Sequence, residues 1–149
     1  MLPIRPFITA AAMMVVAVVS SPDALAHHSF AAMYDATKPI RIEGKLSQVN
    51  WTNPHASFLV EVHGRNGETV TWICEGAGPG ALSRRGFNKS DVKVGDTLIV
   101  DGYLARSGKR VMDAQRITLP GGRVFSTGSA GAAGPGGNAA SLPDAAPAQ

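Results

Sequence analysis

The sequence predicts an all-β domain in the main: a small five-stranded barrel with one short helix between its third and fourth strands. Three observations lead to this prediction. Apolar and polar residues alternate in five segments, which is the period of half-buried strands. Glycine, asparagine and proline residues typical of turns separate the segments. One proline-to-glycine stretch of helical composition follows the third segment.

The first predicted strand, residues 38–51, is long and irregular. Apolar residues occupy even positions as far as Leu46, and then odd positions at Val49 and Trp51. One extra residue near Ser47-Gln48, a β-bulge, explains the change of face and bends the strand. Such a bend is what closing a small barrel requires.

The second and third strands are predicted to form a hairpin around the Asn66-Gly67 turn. Each strand carries three apolar residues on one face, Phe58, Val60 and Val62 on the second and Val70, Trp72 and Cys74 on the third. The helix is predicted over 79–86, and the last two strands over 97–104 and 111–119. This is the element order of an OB-fold. An open fragment of a sandwich is the alternative, but a closed sheet leaves no free strand edges.

The first 26 residues have the pattern of a signal peptide. Arg5 gives a positive start, an apolar run continues to Val19, and Ala24-Leu25-Ala26 supplies a small-residue cleavage site. The run is shorter than the about 20 residues of a spanning helix. We therefore expect a mature protein that begins at His27, has no membrane span, and is periplasmic or secreted.

The other end of the chain, residues 126–149, is rich in glycine, alanine, serine and proline. Leu142 is its only large aliphatic residue, so burial cannot offset the entropy lost on ordering. This composition predicts a disordered tail, and it leaves one domain over residues 27–125.

Charge and cysteine content narrow the class of function. The net charge is only +3, and the basic residues are spread along the chain, which argues against binding of nucleic acid. Cys74 is the single cysteine, so no intramolecular disulfide is possible. We expect it to be a small buried hydrophobe, with an intermolecular disulfide or a metal ligand as the alternatives.

Several motifs resemble those of a known family. They are the HHSF that would begin the mature chain (27–30), WTNPH (51–55), VGD (94–96) and the closing LPGG (119–122). The chain resembles small exported bacterial proteins grouped as a domain of unknown function. One departure is Phe87, where that family often has tryptophan after the glycine that ends the helix. The resemblance implies the fold and export, and it supplies no activity.

Histidine placement suggests a metal site. His27 would be the new N-terminus, where the α-amine and the imidazole together form a chelate. His28 is adjacent, and His55 lies on an Asn-Pro turn that fixes its direction. Nitrogen ligands of this kind suit Cu(II), Ni(II) or Zn(II), and we expect copper or zinc. The alternative is a solvated chain start and a histidine that caps a turn.

Other candidate chemistry is weaker. Trp51 and Asn53 are candidate ligand-binding residues, because OB-folds bind along strands two and three, although aromatics at strand spacing usually belong to the core. No serine lies in a nucleophile elbow, and no carboxylate is marked as a catalytic acid, so we expect no enzyme. The sequence therefore favours an exported binding or accessory module, with a divalent metal as its ligand. The alternative is a module that docks an exported partner protein without metal.

Overall fold

The computed structural model describes residues 30–64 and 66–129 and confirms a mainly β domain. Residues 30–33 are helical and lead into the first strand. The strands are β1 (Tyr34–Asn50), β2 (Ser57–His63), β3 (Thr69–Glu75), β4 (Thr97–Ala105), β5 (Val111–Thr118) and β6 (Val124–Ser126). Between β3 and β4 lie a helix, α1 (Pro79–Arg84), and a 3₁₀ turn at Lys89–Asp91. Within these described ranges no helix is long and apolar enough to cross a membrane.

Five of the strands close into a ring. β1 pairs antiparallel with both β2 and β4, and these two strands pair in turn with β3 and β5. The ring closes where Ile73–Glu75 of β3 run parallel to Val111–Asp113 of β5. This closure joins the five predicted strands in the order β1-β2-β3-β5-β4.

The predicted bulge lies at Ser47. Leu46 is opposite Val60 while Gln48 is opposite Leu59, so one residue of β1 has no partner in β2. The strand begins earlier than predicted, because Tyr34 pairs with Ala105 ahead of an irregular stretch that ends at Pro39. Proline removes a backbone donor from this stretch, which explains why the alternation is hard to recognise there.

The interior is built from the faces that the alternation identified. Phe58, Val60 and Cys74 are fully buried and Trp72 is 8% exposed, which confirms that Cys74 is a buried side chain. Gly86 ends the helical turn with a φ of +82°, a conformation that glycine adopts at little cost. The chain can then turn inward, so that Phe87 is fully buried against the rings of Trp51, Phe58 and Phe125.

The predicted start of the tail at Ser126 is wrong by at least four residues. Ser126 belongs to β6, and the residue after it, Thr127, is fully buried. We call residues 124–129 the closing segment, because they follow the edge of β5 beyond the point where β3 stops pairing with it. The predicted signal peptide (1–26) and the rest of the predicted tail (130–149) lie outside the described residues.

Candidate functional site

Two carboxylates meet where the ring closes. Glu75 of β3 and Asp113 of β5 are directly opposite each other in the parallel pairing. The residues before them, Cys74 and Met112, are fully buried in the interior, so the alternation of a strand places both acids on the outer face. Asp113 is nevertheless only 2% exposed, because other parts of the chain cover it.

Hydrogen bonds hold both carboxylates in place. The Tyr34 hydroxyl donates to Glu75 Oε2 over 2.5 Å. Asp113 accepts from the Ser129 hydroxyl over 3.1 Å and from the side-chain amide of Gln115. The two acids are therefore fixed by β1 and by the closing segment, which are far from β3 in sequence.

Burial dominates the electrostatics of this cluster. It raises the pKa of Asp113 to about 6, and the nearby charge of Glu75 acts in the same direction. The donors Gln115 and Ser129 oppose this rise, as does the positive charge of His55. Burial also raises the pKa of Tyr34 far above its ordinary value, with the hydrogen bond to Glu75 as the next cause. At neutral pH the cluster carries net negative charge.

His55 is an exposed side chain with a fixed direction. Its Nδ1 is 3.0 Å from the carbonyl oxygen of Gly76. A carbonyl only accepts, so Nδ1 carries the proton, and Nε2 carries a lone pair whenever the ring is neutral. The next residue, Ala56, fixes the backbone through two bonds, accepting from Gly76 over 2.8 Å and donating to Ala77 over 3.1 Å.

The other predicted metal ligands, His27 and His28, lie outside the described residues. The chain that follows them packs at the closure of the ring. The Phe30 ring is 5.6 Å from that of Tyr34 and 5.9 Å from that of Tyr103, whose strand partner is Asp113.

Metal ligands do not cluster on the described part of the chain alone. Between residues 30 and 129, residue 65 aside, no group of three histidine, cysteine or acidic side chains is placed to hold an ion. Cys74 is enclosed in the interior, and burial raises the pKa of its thiol, which disfavours the thiolate a metal needs. Any site of the predicted kind therefore requires the histidines before Phe30.

The two candidate ligand-binding residues have different surroundings. Trp51 is half-buried, with its ring 6.4 Å from Phe58 and 5.9 Å from Phe87 in edge-on contacts, so it packs as part of the core. Asn53 is exposed on the turn that leads to His55. The structure brings neither of them to the Glu75 cluster.

A groove of about 410 Å³ lies beside that cluster. It is lined by Met33, Tyr34, Glu75, Ala105 and Val111, with further contributions from residues 32, 106 and 107. Sequence reasoning missed it. Glu75 had only the signature of a strand-surface acid, and Tyr34 preceded the predicted start of β1.

Comparisons with known proteins give one family. A family model described as a family of unknown function (DUF6152) matches residues 14–113. This is more than half of the chain, and the match ends at Asp113 in β5. No curated protein and no solved structure matches the chain.

Proposed function

We propose that this chain, which belongs to the family of unknown function DUF6152, is an exported, non-enzymatic binding module that holds a divalent transition metal ion through His27, His28 and His55. The observation that carries the proposal is the hydrogen bond from His55 Nδ1 to the Gly76 carbonyl. Histidines that bind metals commonly donate their second ring N–H to a backbone carbonyl in this way.

The position of His55 suits a ligand more than a packing residue. The side chain is exposed, and its Nε2 is left with a lone pair. If His55 only capped the turn through its Nδ1, its second ring nitrogen, Nε2, would have no role. One imidazole binds a metal weakly, however, and the other ligands must come from residues outside the described ranges.

His27 and His28 supply the remaining nitrogen ligands in this proposal. Cleavage after Ala26 makes His27 the N-terminus, whose amine and imidazole chelate together. The ring of Phe30, two residues after His28 in the sequence, contacts that of Tyr103, the strand partner of Asp113. The proposal requires the chain start to reach His55 from this point.

The charge of the neighbourhood favours a cation. Glu75 and Asp113 lie side by side, and Asp113 adds its negative charge once the pH exceeds its pKa of about 6. Nitrogen ligands beside carboxylates suit Cu(II) and Zn(II), with Ni(II) as the third choice.

The test is a metal titration of the exported protein followed by thermal unfolding. A bound ion stabilises the folded state by about 2.7 kcal/mol at a hundredfold excess over the dissociation constant. His55→Ala should remove this gain. His63→Ala is the matched control, because His63 lies at the far end of β2, with Nδ1 2.8 Å from the Thr69 hydroxyl. Absence of stabilisation by Cu(II), Ni(II) and Zn(II) in the wild type would contradict the proposal.

The second candidate is a module that docks an exported partner protein without metal. The exposure of Met33, which is 51% and lies beside the groove, favours it. Large exposed apolar side chains next to a concavity are typical of binding surfaces. If this candidate is correct, metal should not change the stability of the domain. Met33→Ser should weaken binding of the partner protein.

A further inference from the structure

The groove beside the carboxylates has mainly apolar walls, and its charged lining residues are one acid, Glu75, and one base, Arg106. Ala32, Met33, Ala105 and Val111 form the walls, and Glu75 provides the carboxylate. We propose that this groove binds a small organic cation, a primary alkylammonium ion, with its carbon chain between these walls and its ammonium group on Glu75. This ligand is separate from the metal proposed above.

The size of the groove fits such a ligand. A volume of about 410 Å³ lies in the range of small-molecule sites, about 300–1,000 Å³. An alkyl chain of four to six carbons gains by leaving water for walls of this kind.

Glu75 is held ready to accept a further donor. Tyr34 donates to its Oε2 and so fixes the carboxylate, whose two oxygens together accept about four hydrogen bonds. In the proposal, the ammonium group donates to Oε1. Because Glu75 is half-buried, an ammonium bound there gains more than at an open surface.

Asp113 strengthens the preference for a cation without touching it. Its two oxygens already accept from Ser129 and Gln115, and it is 2% exposed. Its charge nevertheless lies across one strand pairing from Glu75. An anionic ligand in the groove would be repelled by both acids.

Arg106 at the rim does not cancel this preference. Its Nε donates to the Ala31 carbonyl over 2.8 Å, and its Nη1 is 3.8 Å from Asp35. Asp35, which also pairs with Lys38 over 3.7 Å, offsets part of the charge of Arg106, and both partners of the guanidinium, Ala31 and Asp35, lie outside the set of residues that line the groove.

The experiment compares three probes of the same length on the full exported protein. The probes are n-pentylammonium, 1-pentanol and pentanoate, titrated with chelator present so that metal has no part, and followed by NMR shifts of the groove residues. We expect the ammonium to bind about tenfold tighter than the alcohol, because a hydrogen bond to a charged group contributes at least that much. Pentanoate should bind most weakly. Glu75→Gln should remove the tenfold preference and leave alcohol binding unchanged, because glutamine keeps an acceptor for Tyr34.

Two further variants serve as controls. Ala32→Trp, a change at an exposed position, should fill the groove and abolish binding of all three probes. Glu61→Gln on β2, which does not line the groove, should leave ammonium binding unchanged. Because chelator is present throughout, ammonium binding separates this ligand from the metal site.

Three results would overturn the proposal. They are equal affinity for ammonium and alcohol, ammonium binding that persists in Ala32→Trp, and binding of a lysine-containing peptide without any binding of the free alkylammonium. The last result would assign the groove to a basic partner protein instead.

Discussion

The hydroxyl of Thr127 donates a hydrogen bond of 2.7 Å to the carbonyl oxygen of Ala114, and both residues are fully buried. The Thr127 backbone N–H also donates to Gln115 over 2.9 Å, and its carbonyl accepts from Ala77 over 2.7 Å. One residue of the closing segment thus joins β5 to the loop after β3. It bridges the region where these two strands no longer pair.

The position of the truncation should therefore decide the stability of the domain. Deleting residues 126–149 removes the bonds of Thr127 and also those from Arg85 to Gly128 and from Ser129 to Asp113. At about 1 kcal/mol for each of these five bonds, we expect a loss of about 5 kcal/mol in the free energy of unfolding. Deleting only 130–149, which is poor in apolar residues, should cost less than about 0.5 kcal/mol. Urea unfolding of the two truncated chains measures the difference, and equal stability would show that the closing segment contributes little.

Local sequence patterns predicted the strands well because one face of each strand is buried, so that apolar and polar residues alternate within the strand itself. The alternation in β2 and β3 and the change of face around Ser47 are of this kind. The closing segment has no such alternation in its sequence. Its burial rests on backbone bonds, and on Gly128, where a Cβ would lie 2.5 Å from the Gln115 side chain. A segment whose composition is typical of flexible chain is here ordered by its hydrogen bonds and packed closely against Gln115.

In the candidate site, too, local sequence signals identified some residues, whereas contacts between distant segments could not be predicted. His55 was identified because the Asn-Pro turn before it is a local signal. The contacts among Tyr34, Glu75 and Asp113 depend on the parallel pairing of β3 with β5 and on where β1 begins. These residues are separated by about forty positions at each step, and no periodicity relates them.

Gly102 is predicted to tolerate no side chain. It is opposite Ala114 next to the irregular point of the β4–β5 pairing, and a Cβ there would collide with the Asp113 carbonyl. Since backbone cannot move aside as a flexible side chain can, we expect Gly102→Ala to lower the free energy of unfolding by about 3 kcal/mol or more. Gly80→Ala in α1 is the control, because its nearest neighbour is the end of Arg84 and alanine favours helix by about 0.5–1 kcal/mol. Comparable melting temperatures for the two variants would contradict this prediction.

Cys74 should be inert in the folded protein. It is fully buried on β3, and burial raises the pKa of its thiol well above its ordinary value. Only the thiolate reacts readily with disulfide reagents, so labelling with such a reagent should proceed at the rate of unfolding and become immediate in denaturant. Rapid labelling of the native protein, or a disulfide-linked dimer after export, would show that Cys74 is accessible.

The raised pKa of Asp113 predicts an unusual pH dependence of stability. A carboxyl whose pKa is about 6 when folded and 3.8 when unfolded binds its proton more tightly in the folded state. The contribution of Asp113 to stability is therefore largest below about pH 4 and decreases as the pH rises through 6. The shift corresponds to a decrease of about 2 to 3 kcal/mol across this window.

Other carboxyls act in the opposite direction, so the measurement must isolate Asp113. Asp35, for example, has a lowered pKa because of its bonds with Thr37, and it loses its stabilising contribution as the pH falls. We therefore compare the wild type with Asp113→Asn, which keeps groups that can hydrogen bond to Ser129 and Gln115 and has no charge. Chemical unfolding of both proteins from pH 4 to pH 8 should show the wild type losing about 2 to 3 kcal/mol relative to the variant, with most of the change between pH 4 and 6. A constant difference across this range would mean that Asp113 titrates alike in the folded and unfolded chains, and that the closing segment does not exclude water from it.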